Sequence, residues 1–344
     1  MKTNLILLAL IGQGYLAHAQ SNGQQPFYTK SLKGEGIKQV FVNTSGGSIT
    51  VSGSAAEQPR IEVYVTGNNG NNLSKEEAQK RIDKDYSLVI ESHDGELHAT
   101  AKSKRNFNWG GNSVSISFKV YVPQRTASNL NTSGGSIHID NLIGNERFET
   151  SGGSLYIDRV AGMVKGETSG GSIHVSNAKD NVDLETSGGS IDAESCQGNI
   201  RLETSGGSIN LNNLSGTIKA ETSGGSIRGG KIAGELVTGT SGGSINLDNL
   251  SCSLNASTSA GSLHAQFNQV GKYVKLEASA GHIDLVLPSK QGYDVDLTGN
   301  SVGSESLSNF NGDKERDHIR GKINGGGISV RADASGGRVN LKFN

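Results

Sequence analysis

One six-residue block, Thr-Ser-Gly-Gly-Ser-Ile or a near variant, restarts at Thr132, Thr150, Thr168, Thr186, Thr204, Thr222, Thr240 and Thr258. Every step is 18 residues. A fixed short period of this kind predicts a solenoid. A single unit of that length buries too little apolar surface to fold alone and must stack on its neighbours. An isolated copy stands at Thr44, and degenerate copies follow at Ala278 and Ala334.

With each Thr as position one, position six is Ile137, Leu155, Ile173, Ile191, Ile209, Ile227, Ile245 and Leu263. Position eight is mostly apolar, as at Ile139, Ile157, Val175, Leu211 and Leu247. This alternation marks a strand with one buried face. A second alternating pair falls at positions fifteen and seventeen, as in Val182 with Leu184 and Ile200 with Leu202. Position eleven between them is again apolar: Leu142, Val160, Ala178, Cys196, Leu214, Ile232 and Leu250. Position thirteen is usually glycine: Gly144, Gly162, Gly198, Gly216 and Gly234.

Each unit therefore reads as two short strands and two Gly-containing turns. The turn glycines are the pairs Gly134 and Gly135, Gly152 and Gly153, Gly170 and Gly171, Gly188 and Gly189, Gly206 and Gly207, Gly224 and Gly225, and Gly242 and Gly243. They are expected to supply φ > 0. The predicted class is all-β, a single-chain parallel β-helix or β-solenoid with 18-residue coils spaced about 4.8 Å apart. The general preference of crossover connections predicts right-handed winding.

Residues 1–19 read as a signal peptide, with Lys2, the apolar run Leu5–Ile11 and an Ala17-His18-Ala19 cleavage site leaving Gln20 first. The apolar run is too short to span a bilayer. No later segment is apolar enough to cross one, so an exported protein is expected, in the periplasm, on the cell surface or in the medium. Residues 20–125 read as irregular β coils and a cap, with a short helix near 74–83 begun by the capping box Ser74-Lys-Glu-Glu77. Residues 126–275 hold the regular coils. Residues 276–344 read as irregular coils and a second cap closing on the strand Arg338–Phe343. The formal net charge of −1 disfavours nucleic acid or an anionic membrane as partner. The strict order of the 49 glycines argues against disorder.

Four features carry a family resemblance: Tyr121-Val122-Pro123 ahead of the first regular unit, the tandem Thr-Ser-Gly-Gly-Ser-Ile blocks, Leu285-Val-Leu-Pro288, and Asn324-Gly-Gly-Gly-Ile-Ser-Val330 before a last Ser-Gly-Gly. With these the chain resembles the bacterial putative-adhesin family, catalogued largely as a domain of unknown function. The resemblance implies an envelope-associated β-solenoid and brings no catalytic residues with it.

Among candidate site residues, position eighteen forms a column of Glu149, Glu167, Glu185, Glu203 and Glu221. Stacked about 5 Å apart, these carboxylates would make an acidic stripe. Position sixteen carries Arg147, Lys165, Arg201 and Lys219 on the same face, so a self-neutralised, solvated surface is the preferred reading. Calcium is not expected, because Gly134-Gly135 is not followed by the Gly-x-Asp of calcium β-rolls, and Asp140, Asp158 and Asp248 come a residue late. His138, His174 and His264 share position seven but lie too far apart for one zinc ion. Asn141, Asn177, Asn213 and Asn249 at position ten read as a structural ladder, and the Thr column reads as a buried hydrogen-bonded one. Cys196 and Cys252 lie three coils apart, too far for a disulfide.

No nucleophile–base pair or metal-ligand spacing stands out, so neither catalysis nor a cofactor is expected. The expected role is a non-catalytic, adhesin-type binding protein whose partners are glycans or envelope and extracellular-matrix components. A self-assembling envelope scaffold or an envelope-stress component is the alternative. A polysaccharide-acting β-helix enzyme ranks last. Oligomeric state is left open by the sequence.

Overall fold

The computed structural model describes residues 25–67, 70–104, 113–305, 307 and 309–344. The expected signal peptide and the Trp109-Gly-Gly111 segment lie outside the described residues. The N-terminal elements are β1 (Tyr28–Ser31), β2 (Gln39–Thr44), β3 (Ile49–Gly53), β4 (Arg60–Gly67), α1 (Lys75–Asp85), β5 (Tyr86–His93), β6 (Glu96–Ser103), β7 (Val114–Val122) and β8 (Ala127–Thr132).

The regular coils then alternate short and long strands: β9 (Ile137–Asp140), β10 (Ile143–Thr150), β11 (Leu155–Asp158), β12 (Ala161–Thr168), β13 (Ile173–Ser176), β14 (Lys179–Thr186), β15 (Ile191–Glu194), β16 (Gln197–Thr204), β17 (Ile209–Asn212), β18 (Ser215–Thr222), β19 (Ile227–Gly230) and β20 (Ala233–Thr240). Beyond them the chain forms β21 (Ile245–Thr258), β22 (Leu263–Ala278), β23 (Ile283–Leu287), β24 (Tyr293–Ser304), β25 (Phe310–Lys314), β26 (His318–Ile323) and β27 (Ile328–Phe343).

Short strands pair in parallel with short strands and long with long, each residue opposite the one 18 further on. Leu155 lies opposite Ile137 and Ile173, and Glu185 opposite Glu167 and Glu203. The 18-residue parallel coil inferred from the repeat is therefore present. Positions six, eight, eleven, fifteen and seventeen face a single continuous core. Large and small side chains alternate there to fill it. Phe148 occupies the space that a side chain at Gly166 would need, with its ring 2.1 Å from the ideal Cβ position.

The role of the Gly-Gly pair differs from the expectation. None of its glycines has positive φ. The second glycine is required by contact instead. A Cβ at Gly153, Gly171, Gly189 or Gly207 would sit 2.0–2.1 Å from the carbonyl oxygen of the equivalent glycine one coil earlier. The first glycine is less constrained. A Cβ at Gly152 would meet nothing closer than 3.7 Å. Ala260 and Ala280 occupy this place in the later copies, while the second place remains Gly261, Gly281 and Gly337.

The rest of the block serves the same junction. Thr186 Oγ1 donates to the Gly171 carbonyl of the preceding coil at 2.7 Å and accepts from the Gly189 amide at 3.3 Å. The pattern repeats from Thr132 to Thr258, so the Thr column is the buried ladder expected. The block's second Ser also links coils, as where the Ser190 amide donates to Ser172 Oγ at 3.3 Å.

The second turn is built without glycine. Position ten holds the left-handed conformation at Asn141, Arg159, Asn177, Ser195, Asn213, Lys231 and Asn249, with φ of 50–58°. The Asn column is therefore a set of corner residues rather than an Asn–Asn ladder: the Asn177 side chain donates to Asp158, and that of Asn213 to Ser195. Asparagine suits this place because it tolerates the left-handed region better than most residues. Position-thirteen glycines lie inside the long strands, where Gly162, Gly198, Gly216 and Gly234 have φ of 103–124°.

Both ends depart from simple winding. At the N-terminal end β2 lies between β6 and β8, and β3 between β7 and β9. The strand at 60–67 does not continue a coil but runs antiparallel to β7, and β5 runs antiparallel to β6. Helix α1 starts at the expected N-cap, with Ser74 accepting from the Glu77 amide, and buries Ala78 and Ile82. At the C-terminal end the last strand does not close the stack. β27 lies between β22 with β23 on one side and β24 on the other, and the antiparallel β25–β26 hairpin lies outside it. Outer strands at both ends thus include antiparallel ones that interrupt the coil pattern.

Two substitutions separate these roles. Gly153→Ala should destabilise the protein by about 1–3 kcal/mol or more, because backbone must move, whereas Gly152→Ala should be neutral or slightly stabilising. Thr186→Val should cost about 1–3 kcal/mol by leaving a buried carbonyl and amide unpaired. Chemical denaturation of the three variants against the parent checks both statements.

Candidate functional site

The long strands turn positions sixteen and eighteen to solvent, and the parallel register lines these up as two columns. Glu149, Glu167, Glu185, Glu203 and Glu221 are direct register neighbours, so the expected glutamate column exists. Much of it is paired with the cation column beside it. Lys165 reaches Glu167 at 3.1 Å. Lys219 bridges Glu203 at 3.3 Å and Glu221 at 2.8 Å. Arg201 joins Asp183 at 2.8 Å and also pairs with Glu203. The hydrogen bond to Asp183 holds the Arg201 guanidinium above its ordinary pKa, and the bond to Glu221 does the same for Lys219. Glu185 shares its strand face with Asp183 and makes no ion pair within 4.0 Å among the described residues.

Both columns break off together. Opposite Glu221 and Lys219 the next strand carries Gly239 and Val237, and the one after carries Ser257 and Asn255. Charge resumes with Lys275 and Glu277, which pair at 2.9 Å. The loss of bulk at the break leaves an open groove of about 390 Å³. Glu185, Glu203 and Glu221 line it together with Gly239, Ser257 and the first Ser of several blocks. Four residues before Gly239 on the same strand, Glu235 accepts from Tyr273 Oη at 2.7 Å, and this bond, with burial, pushes the phenol up to about 12. The interruption was visible in the repeat alignment as Gly239 and Ser257, but it becomes a groove only once coils are stacked.

The short-strand face carries a second column. His138, Tyr156 and His174 stack with ring centroids 4.5 and 5.1 Å apart and planes within 12° of parallel. Tyr156 thus separates the two histidines, which do not share a metal site. The rings cover one another's faces and present edges to solvent, so the column offers little open face for stacking on a sugar. His174 faces Asp192 at 3.2 Å, and His264 faces Asp248 at 3.4 Å. Asp140 and Asp158 pair with Arg159, which supplies a cation where a calcium site would need free carboxylates.

Cys196 and Cys252 are both buried and unbridged. Burial pushes the Cys252 thiol up to about 12 and raises that of Cys196, so neither is a ready thiolate. Glu315, Asp317 and His318 gather their ligand atoms within 4.8 Å on the exposed turn between β25 and β26, a cluster that the repeat analysis did not single out.

Residues 231–342 match the family model described as Toastrack DUF4097, a domain of unknown function. Two solved structures align over most of this chain. A putative cell adhesion protein from Clostridium sporogenes is 12% identical, covering 92% of this chain and 98% of its own, with a TM-score of 0.20. A putative adhesin from Bacteroides fragilis is 14% identical, covering 94% of this chain and 100% of its own, with a TM-score of 0.32. No curated protein matches. Among the described residues no helix is long and apolar enough to cross a membrane.

The exposed pairs of the glutamate column should contribute little stability. Lys219→Met should shift the unfolding free energy by no more than about 1 kcal/mol, and 1 M salt should narrow that difference further. Denaturation at two ionic strengths checks this.

Proposed function

We propose that this chain, with its Toastrack DUF4097 match, is a non-catalytic binding protein of the adhesin type. It would act outside the cytoplasm and hold an extended partner along the outward face of its long strands. The observation that carries this reading is the groove at the break in the two charged columns. There Glu185, Glu203 and Glu221 lead in successive coils to the uncharged rows at Gly239 and Ser257, beside the serine hydroxyls of the blocks. Rows spaced about 4.8 Å apart suit a polymer that can engage several rows in succession. The chemistry favours a partner rich in hydroxyl or cationic groups, such as a glycan of the envelope or a component of the extracellular matrix.

Support for a non-catalytic role comes from how the groove's polar groups are committed. The Thr204 and Thr222 hydroxyls donate to glycine carbonyls of the preceding coil at 2.7 Å, and Glu203 and Glu221 are held by cations. None of these is arranged as a nucleophile beside a base. The antiparallel strands at the two ends weigh against growth by end-to-end stacking, so a filament-forming scaffold is the second reading.

Residues 20–344 should bind a subset of immobilised envelope polysaccharides or matrix components saturably. Combined Glu185→Gln, Glu203→Gln and Glu221→Gln substitution should weaken that binding at least tenfold with folding intact. Saturable binding that the triple variant leaves unchanged would remove the groove from the account.

A further inference from the structure

Position fifteen of the long strands points into the core and is Val164, Val182, Ile200, Ile218, Leu236 and Leu254 in successive coils. In β10 the same place holds Glu146, only 1% exposed. It is the one charged side chain among the buried described residues. Its Oε2 accepts from Ser128 Oγ, the residue at the equivalent place one coil earlier. Its Oε1 has no partner. An ideal Cβ on Gly144 would lie 3.0 Å from that oxygen, so the glycine leaves the carboxyl its room.

Among the described residues no cation pairs with the group. β8 contributes Ser128, β12 contributes Val164, and the corner before β8 contributes Thr126, whose hydroxyl is given to the Pro123 carbonyl at 2.7 Å. Arg147, Glu149, Lys165 and Glu167 occupy alternate positions on their strands, where side chains turn to the opposite face. Burying an unpaired carboxylate is costly, and the usual relief is to keep the proton.

We propose that Glu146 is an internal proton-binding site. It holds the junction between the N-terminal cap and the regular coils tight when protonated and loosens it on ionisation. Desolvation, only partly opposed by the Ser128 hydrogen bond, raises the folded carboxyl to about 7 from an ordinary value of 4.5. Folding therefore takes up a proton. The stability linked to this group is fully present below the unfolded pKa and is lost as pH rises through about 7. A shift of that size corresponds to a change on the order of a hundredfold in the folded-to-unfolded ratio between mildly acid and mildly alkaline solution. Mild acid thus favours the closed form.

The test uses residues 20–344 across pH 5 to 9. Carbon-13 NMR of the glutamate carboxyls in the unmutated protein should show one resonance titrating near 7, absent from Glu146→Gln. The melting temperature of the unmutated protein should fall between pH 6 and 8 more than that of Glu146→Gln or of Glu146→Val, which restores the aliphatic found in the following coils. Amide exchange over residues 126–150, corrected for intrinsic rates, should quicken above pH 7 while that over 186–222 does not. If no carboxyl titrates above about 5.5, or if parent and Glu146→Gln melting profiles superimpose, the proposal is overturned. Should Glu146→Gln fail to fold, the carboxyl titration of the unmutated protein decides alone.

Discussion

The second glycine of each block touches the carbonyl of its counterpart one coil below, and this contact governs the rest of the architecture. A Cβ there would sit about 2 Å from that oxygen, from Gly135 through Gly261. Only a bare backbone lets the coils approach this closely at the corner. The threonine three residues earlier uses the approach, donating its hydroxyl to that same carbonyl. Steric permission and hydrogen bond thus act on one atom, and together they fix each coil at one height and one rotation above the last.

That registry turns an alignment of sequence positions into columns in space. Inward columns fill the core; outward ones become stripes of charge, hydroxyl or stacked rings. A groove on such a scaffold need not be built from loops. It arises where a column changes composition, as the glutamate and cation columns do at Gly239, Val237, Ser257 and Asn255. The same logic places a fault inside the molecule at Glu146, where this coil and the one before it, with Ser128, depart from the aliphatic column of the coils that follow.

Much of this was legible in the sequence. The capping box at Ser74 gave the helix, and the 18-residue period gave parallel stacking, the two strands per coil, the buried positions and the glutamate column. These features repeat locally, and each copy confirms the others. The glycine roles were misassigned because φ > 0 is the usual reason for glycine, whereas Gly153 and its equivalents answer to a neighbour 18 residues away. Ala260 and Ala280 carried that signal, since only the first glycine of the pair is ever replaced. The insertion of β2 and β27 one layer in from the ends depends on non-local pairing that no period announces. Tyr156 went unremarked because a lone tyrosine among histidines shows its stacking only in space.

Distances measured along the stack test the central claim most directly. Asn145, Asn181, Asn199 and Thr217 share an outward column, and both native cysteines are buried. Spin labels attached through cysteine at 145 paired with 181, 199 or 217 report two, three and four coil steps. Parallel 18-residue coils predict backbone separations that grow linearly, about 10, 14 and 19 Å, once the label linkers are accounted for. Separations that failed to rise by a constant step per 18 residues would contradict the stacked-coil account.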